Sequence, residues 1–157
     1  MADDTLPADD ALPADEPAGD ASREPEPIFG APVTHSHGQV VVHVDQTGYL
    51  DLVRKLHDDG HLACIDVTAV DYLTYEADRG LPPGIEAERF EVVASFVNHA
   101  RRERLRLRVQ VPEDDPTVPS ITDLYPGADA LERDVFDMFG ITFTGQPDMS
   151  RILMPED

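Results

Sequence analysis

Arg104, Arg106, Arg108 and Gln110 alternate with Leu105, Leu107, Val109 and Val111. A strict period of two is the signature of a strand with one face buried and the other wet, and here that second face is cationic. Pro112 has no N–H for a ladder and ends the strand. Upstream, Phe90, Val92, Ala94 and Phe96 share one face of a strand over residues 89–99, and the short link at Arg101-Arg102 predicts an antiparallel hairpin between the two. Residues 40–44 and 62–72 read as further strands, and 141–144 as a last short one. Residues 77–88 hold Gly80, Pro82, Pro83 and Gly84 and read as a loop.

Two helices complete the pattern. Thr47 is expected to cap one from Gly48 to Asp59, with Tyr49, Leu52, Val53 and Leu56 on one face and Gly60 as its stop. Asp129 and Glu132 have the spacing of a capping box for a second. In that helix Leu131, Val135, Met138 and Phe139 are expected to face the sheet, Arg133 and Asp137 to meet at i, i+4, and Gly140 to end it. The expectation is an α+β, two-layer fold with a mixed or antiparallel sheet and helices packed on one face.

Charge limits the partners. The chain has 12 Lys plus Arg against 32 Asp plus Glu, a formal net charge of −20. A nucleic-acid binder that neutralises phosphates is excluded, and an anionic membrane surface is disfavoured. The longest apolar run, Leu62-Ala63-Cys64-Ile65, is far short of the ~20 residues that span a bilayer. Residues 1–27 carry −8 of the −20, with five prolines and a near-repeat, Leu6-Pro7-Ala8-Asp9-Asp10 and Leu12-Pro13-Ala14-Asp15-Glu16. Too little apolar surface offsets the entropy of ordering, so they read as a disordered acidic tail. Residues 28–144 are expected to form the domain.

Chemistry-bearing motifs are sparse. One cysteine, Cys64, excludes an internal disulfide and an iron–sulfur cluster held by about four thiolates of this chain. No phosphate-cradling glycine loop is present; Gly80-Leu81-Pro82-Pro83-Gly84 is too rich in proline. His35 and His37 read as solvated loop histidines, and Cys64 as a packed thiol. Asp66, Asp71 and Glu76 read as solvated strand-edge acids, and Glu113, Asp114 and Asp115 as a surface turn. Ser120 lacks a nucleophile elbow and reads as a turn cap. No residue pattern argues for catalysis.

A family resemblance supplies what spacing does not. The segments are Pro119-Ser-Ile-Thr-Asp-Leu-Tyr-Pro-Gly-Ala128, Leu131-Glu-Arg-Asp-Val-Phe-Asp-Met-Phe-Gly-Ile141, Phe143-Thr-Gly-Gln-Pro-Asp148 and Arg151-Ile-Leu-Met-Pro-Glu-Asp157. Together they resemble the signature of the thirty-kilodalton-type subunit family of respiratory complex I. Asp66-Val-Thr-Ala-Val-Asp71-Tyr72 is similar to its earlier strand motif. Ala130, Gln146 and Ser150 depart from the family's usual residues, and the family continues beyond Asp157.

The resemblance implies a peripheral-arm structural subunit of a proton-pumping NADH:quinone oxidoreductase. It would lie on the cytoplasmic side of the bacterial cell membrane, held there only through the complex. No catalytic residue and no cofactor would belong to this chain; FMN, the iron–sulfur clusters and quinone would sit in partner subunits. The chief partners would be the quinone-site, forty-nine-kilodalton-type subunit and the subunit holding cluster N2. Glu132, Arg133 and Asp137 would be structural or interface charges. Residues 145–157 would be an extended C-terminal arm, cut short relative to the family, burying Ile152 and Leu153 on a neighbour while Arg151 pairs with a carboxylate. The alternatives are the equivalent subunit of a membrane-bound hydrogenase or of an F420- or ferredoxin-fed dehydrogenase, and a stand-alone acidic binding module.

Overall fold

A computed structural model describes residues 25–154. The expected acidic tail, up to residue 24, lies outside the described residues. Nine elements follow in order: β1 (Val33–Ser36), β2 (Gln39–Asp45), α1 (Tyr49–Asp58), β3 (Ala63–Asp71), β4 (Phe90–Asn98), β5 (Glu103–Val111), β6 (Thr117–Pro119), α2 (Ala128–Phe139) and β7 (Thr142–Thr144). Five strands form one sheet in the order β1-β2-β5-β4-β3, and β6 and β7 form a parallel pair beside it. β5 runs parallel to β2 and antiparallel to β4. The sheet is mixed, the helices lie to one side, and the α+β expectation holds.

The central hairpin follows its sequence pattern. Phe90, Val92, Ala94 and Phe96 stand opposite Val111, Val109, Leu107 and Leu105, and all eight are buried. Helix α1 buries Tyr49, Leu52, Val53 and Leu56 against this face. Burying each such side chain contributes ~1.5–3 kcal/mol, which gives a helix of fewer than three turns the stability it lacks alone. Tyr125 ties the later chain to it: its hydroxyl donates to the His61 carbonyl oxygen at 2.6 Å, and its ring lies 5.2 Å from that of Phe96.

The other face of β5 is wet at Arg104, as expected, but covered from Arg108 to Gln110. The loop between β3 and β4 folds over it. Glu91 is 1% exposed and accepts from Arg108 Nε at 2.7 Å, Gln110 Nε2 at 2.6 Å and the Tyr72 hydroxyl at 3.3 Å. Arg79 from the loop donates to Gln110 and to the Glu88 carbonyl oxygen, with its guanidinium 4.0 Å from the Tyr72 ring centroid. Arg108 donates back to the Arg79 carbonyl oxygen at 3.1 Å. At the loop's base Arg89 forms a fork on Asp71, at 3.0 and 2.9 Å, and also bonds Glu113. Alternation shows which residues share a face, but it does not show what covers that face.

Other expectations need correction. No strand is expected at β1, because its four residues hold one valine; its signal is the following His37-Gly38, with φ of 50° and 72°, a two-residue hairpin turn of mirror-image type. His35 and His37 are exposed on this hairpin. β6 is equally unexpected, being three residues that follow one proline and end on another. Thr47 does not cap α1: its hydroxyl donates to Asp45, and Asp45 Oδ1 accepts the Gly48 N–H at 2.8 Å. Gly48 has little room for a side chain, since a Cβ there would lie 2.8 Å from Val44.

In α2, neither half of the expected capping box acts as a cap; the N-cap is Gly127 and has no side-chain bond. Met138 is 60% exposed, and the inward stripe runs through Ala128, Glu132 and Val135, with Leu131 and Phe139 partly buried beside it. Gly140 ends the helix at φ 72°, as its position suggests.

His43, with no exposed surface, gives the fold a pH dependence. Burial first, and the Arg108 charge second, lower its pKa to about 4, against the opposing effect of Glu91. Thr34 Oγ1 meets its Nε2 at 2.8 Å. The folded state keeps His43 neutral while the unfolded chain takes up a proton near pH 6.5. Stability is therefore full above about 6.5 and falls as the pH drops toward 4, by about 3 kcal/mol. Urea midpoints measured across this window should fall in the wild type and flatten in His43→Gln. Equal slopes would refute the assignment.

Candidate functional site

The charged residues singled out by the sequence gather on α2 and the segment after β7, where two buried carboxylates do different work. Glu132 is fully buried. Its Oε1 accepts the Ile121 N–H at 2.8 Å, and its Oε2 accepts from the Ser120 hydroxyl at 2.7 Å and from Gln146 Nε2 at 3.2 Å. One side chain thus joins the helix to the turn after β6 and to the chain leaving β7. Burial pushes its pKa up; the Ile121 and Ser120 donors oppose this and Asp129 adds to it. Ser120 also accepts the Thr122 N–H at 3.2 Å, the turn-capping role expected of it.

Asp137 has a fully buried side chain. Its Oδ2 accepts three successive backbone N–H groups, Ile152 at 3.2 Å, Leu153 at 2.7 Å and Met154 at 2.7 Å, and Arg151 Nη1 lies 3.4 Å from its Oδ1. Burial raises its pKa, but the Met154, Leu153 and Ile152 donors with the Arg151 charge outweigh it, so the carboxyl sits below the usual range. Such donor clusters favour the carboxylate strongly.

Arg133 does not pair with Asp137. Its Nε donates to the Ser150 carbonyl oxygen at 3.0 Å and its Nη2 to the Ser150 hydroxyl at 2.8 Å, with Asp129 and Asp148 within 3.7 and 3.8 Å. Arg133 and Asp137 thus hold successive parts of the same arm. Arg151 finds its carboxylate within its own domain.

The arm's backbone is fixed while its side chains remain free. Ile152 is 40% exposed, Leu153 59% and Met154 50%, and Met138 is likewise bare on α2. Met149 alone packs against the core. Sequence reasoning does not find Ser120, Gln146 and Ser150 as partners. The Ser120 hydroxyl lies twelve positions from Glu132, beyond any local motif.

Other candidates stand apart from this region. The Cys64 thiol is pushed up to about 11 by burial, so it is protonated and poorly nucleophilic at neutral pH. Among the described residues no group of three or more His, Cys, Asp and Glu is placed to hold a metal ion. No described helix is long and apolar enough to cross a membrane.

Asp137→Asn replaces an all-acceptor group with one that presents its own donors. Amide exchange at Ile152, Leu153 and Met154 should quicken by roughly tenfold or more, and trypsin should cut sooner after Arg151. The wild-type clamp is complete above the ordinary aspartate pKa and should be lost as the pH falls through and below it. Unchanged exchange in the variant would mean that the arm is held by something else.

Comparison with known proteins agrees with this layout. Residues 42–157 match the family described as "Respiratory-chain NADH dehydrogenase, 30 Kd subunit". An NADH-quinone oxidoreductase subunit from Roseiflexus castenholzii is 42% identical over 136 residues, covering 85% of this chain and 71% of the relative. Its counterpart from Bordetella petrii is 38% identical over 130 residues, covering 77% and 62%. A solved trypsin-resistant fragment (1–134) of Nqo5 superimposes with a TM-score of 0.67 at 34% identity, covering 76% of this chain and 90% of the fragment. With most of its length matched, from within β2 through α2 to the arm, the chain belongs to the family of the 30-kilodalton subunit of respiratory-chain NADH dehydrogenase.

Proposed function

We propose that this chain is a structural subunit in the peripheral arm of a proton-pumping NADH:quinone oxidoreductase, on the cytoplasmic side of a bacterial cell membrane. It braces the quinone-site subunit and lies near the subunit holding cluster N2. Electrons pass from NADH through FMN and iron–sulfur clusters to quinone in those partners, and this chain contributes no catalytic residue and no cofactor. The family match and the relatives' names support the setting.

The observation that carries the bracing role is the arm. A carboxylate buried in α2 fixes three consecutive backbone N–H groups, so Ile152, Leu153 and Met154 are presented to solvent from a rigid support. Apolar side chains ordered in advance lose little entropy on binding, which favours docking on a neighbour. Met138 is a further exposed apolar side chain, on the helix that anchors the arm.

Leu153→Asp tests this. The side chain is exposed in the isolated domain, so its melting temperature should stay within a degree or two, in the range of neutral surface changes. Burial of a leucine in an interface contributes ~1.5–3 kcal/mol, so incorporation into the complex should weaken by roughly ten- to a hundredfold. Co-purification from membranes with the quinone-site subunit measures it. Undiminished recovery of the variant complex would remove the arm from the interface. Elemental analysis of the isolated chain should find no stoichiometric iron or zinc; finding either would overturn the cofactor-free role.

A further inference from the structure

The most cationic stretch of this acidic chain keeps two exposed charges in reserve. Residues 101–108 hold five of the 12 Lys plus Arg. Arg101 is paired with Asp59 and Glu103 and Arg108 with Glu91, while the half-buried Arg106 keeps its charge but spends a donor on the neutral Gln39 side chain. Arg102 and Arg104 are exposed, and among the described residues neither has an ion-pair partner. Arg102 stands in the turn of the β4–β5 hairpin at φ 56°.

An apolar groove of about 450 Å³ adjoins this hairpin. Ile28, Phe29, Val40, Leu56 and Leu105 line it, with Phe29 46% exposed, and the lining also carries Arg104 beside Asp59 and Glu103, whose carboxylates are taken by Arg101. Ile28 and Ala31 exchange backbone hydrogen bonds of 3.1 and 2.9 Å across Phe29-Gly30, which fixes the position of that wall. The chain enters the domain here. Only residues 25–27 separate the wall from the segment that precedes it.

That segment matches the groove chemically. Residues 1–24 hold eight acids and one base, and their only leucines, Leu6 and Leu12, are each followed by Pro-Ala-Asp and a further acid. Each repeat is a single apolar anchor with carboxylates close behind it. Fifteen residues separate Leu12 from Ile28 in sequence, a tether of up to about 50 Å when extended, ample for a groove at its own base. Tethering holds the repeats at an effective concentration on the order of mM, so a weak contact is enough, and two repeats double the opportunity.

We propose that the acidic N-terminal segment docks on its own domain, with a leucine of one repeat in the groove and its carboxylates against Arg102 and Arg104. The segment lies outside the family match, and the proposal is independent of the complex in which the chain works.

Methyl NMR of the full chain tests it. In the double variant Leu6→Asp, Leu12→Asp, the resonances of Ile28, Val40 and Leu105 should move, while those of Val118 and Ile141, across the molecule's second sheet, should not. Arg102→Glu with Arg104→Glu should move the same set, and so should about 0.5 M NaCl, which screens exposed charges. The leucine variants lie outside the domain core, so an unchanged melting temperature serves as the folding control. Groove resonances identical in wild type and the leucine variants would overturn the proposal. Resonances that shift with protein concentration alongside a dimer in sedimentation would also overturn it, because a second copy would then fill the groove.

Discussion

A carboxylate buried at the centre of the sheet sets the terms for the rest of the fold. Glu91 lies beside the central strand β5 and is nearly inaccessible to water. Burial opposes the charge on its partner Arg108, and the pairing outweighs that effect and holds the guanidinium protonated. A buried pair with one member removed leaves an uncompensated charge, which costs far more than the pair contributes. Gln110, Tyr72 and Arg79 complete the set of donors and acceptors, and two of these belong to the long loop between β3 and β4. That loop, with its prolines and glycines, therefore works as the second cover of the sheet. Its ends are drawn together by the Arg89 fork on Asp71, so β3 and β4 keep the register that brings Glu91 to Arg108 and Gln110.

How far the sequence can anticipate this depends on the range of each interaction. Period-two and period-3.6 patterns are local, and they place β4, β5 and α1 with their buried faces. Short elements with little apolar content, β1 and β6, carry no such pattern; they exist because neighbours pair with them. Met138 is misplaced by periodicity because the spacing of 131, 135 and 138 suits a helix stripe as well as the true one does. The true stripe passes through Glu132, and hydropathy cannot anticipate a carboxylate turned inward. Its burial becomes intelligible only with the Ile121 N–H, Ser120 and Gln146 in place, eleven to fourteen residues away.

The same limit applies at the arm. Its apolar cluster and two prolines are legible as an extended segment unsuited to a core of its own. For the residue that anchors it, Asp137, the spacing points instead to an i, i+4 pair with Arg133. Backbone N–H groups are invisible to sequence patterns because every residue but proline carries one. Three of them converging on one oxygen is a property of the fold alone. The family resemblance identifies the segment as important, and the geometry shows the means by which it is held.

The two carboxylates of α2 show why one helix can serve both core and surface. Glu132 and Asp137 are five residues apart, roughly 140° around the helix at 3.6 residues per turn, so they face different neighbours. Glu132 meets neutral donors in a dry setting, and burial dominates: its pKa rises, and ionising it opposes folding. Asp137 meets three N–H groups and a guanidinium, and these dominate: its pKa falls, and ionisation tightens the arm. As the pH drops below the ordinary carboxylate range, the joint at Glu132 is relieved of its charge while the Asp137 clamp loses the charge it needs. The domain and the arm thus respond to acid in opposite senses at these two residues. The bonds that fix the arm are thus distinct from those by which Glu132 joins the helix to the domain. A surface that presents Ile152, Leu153 and Met154 depends on a bond set separable from the core beneath it.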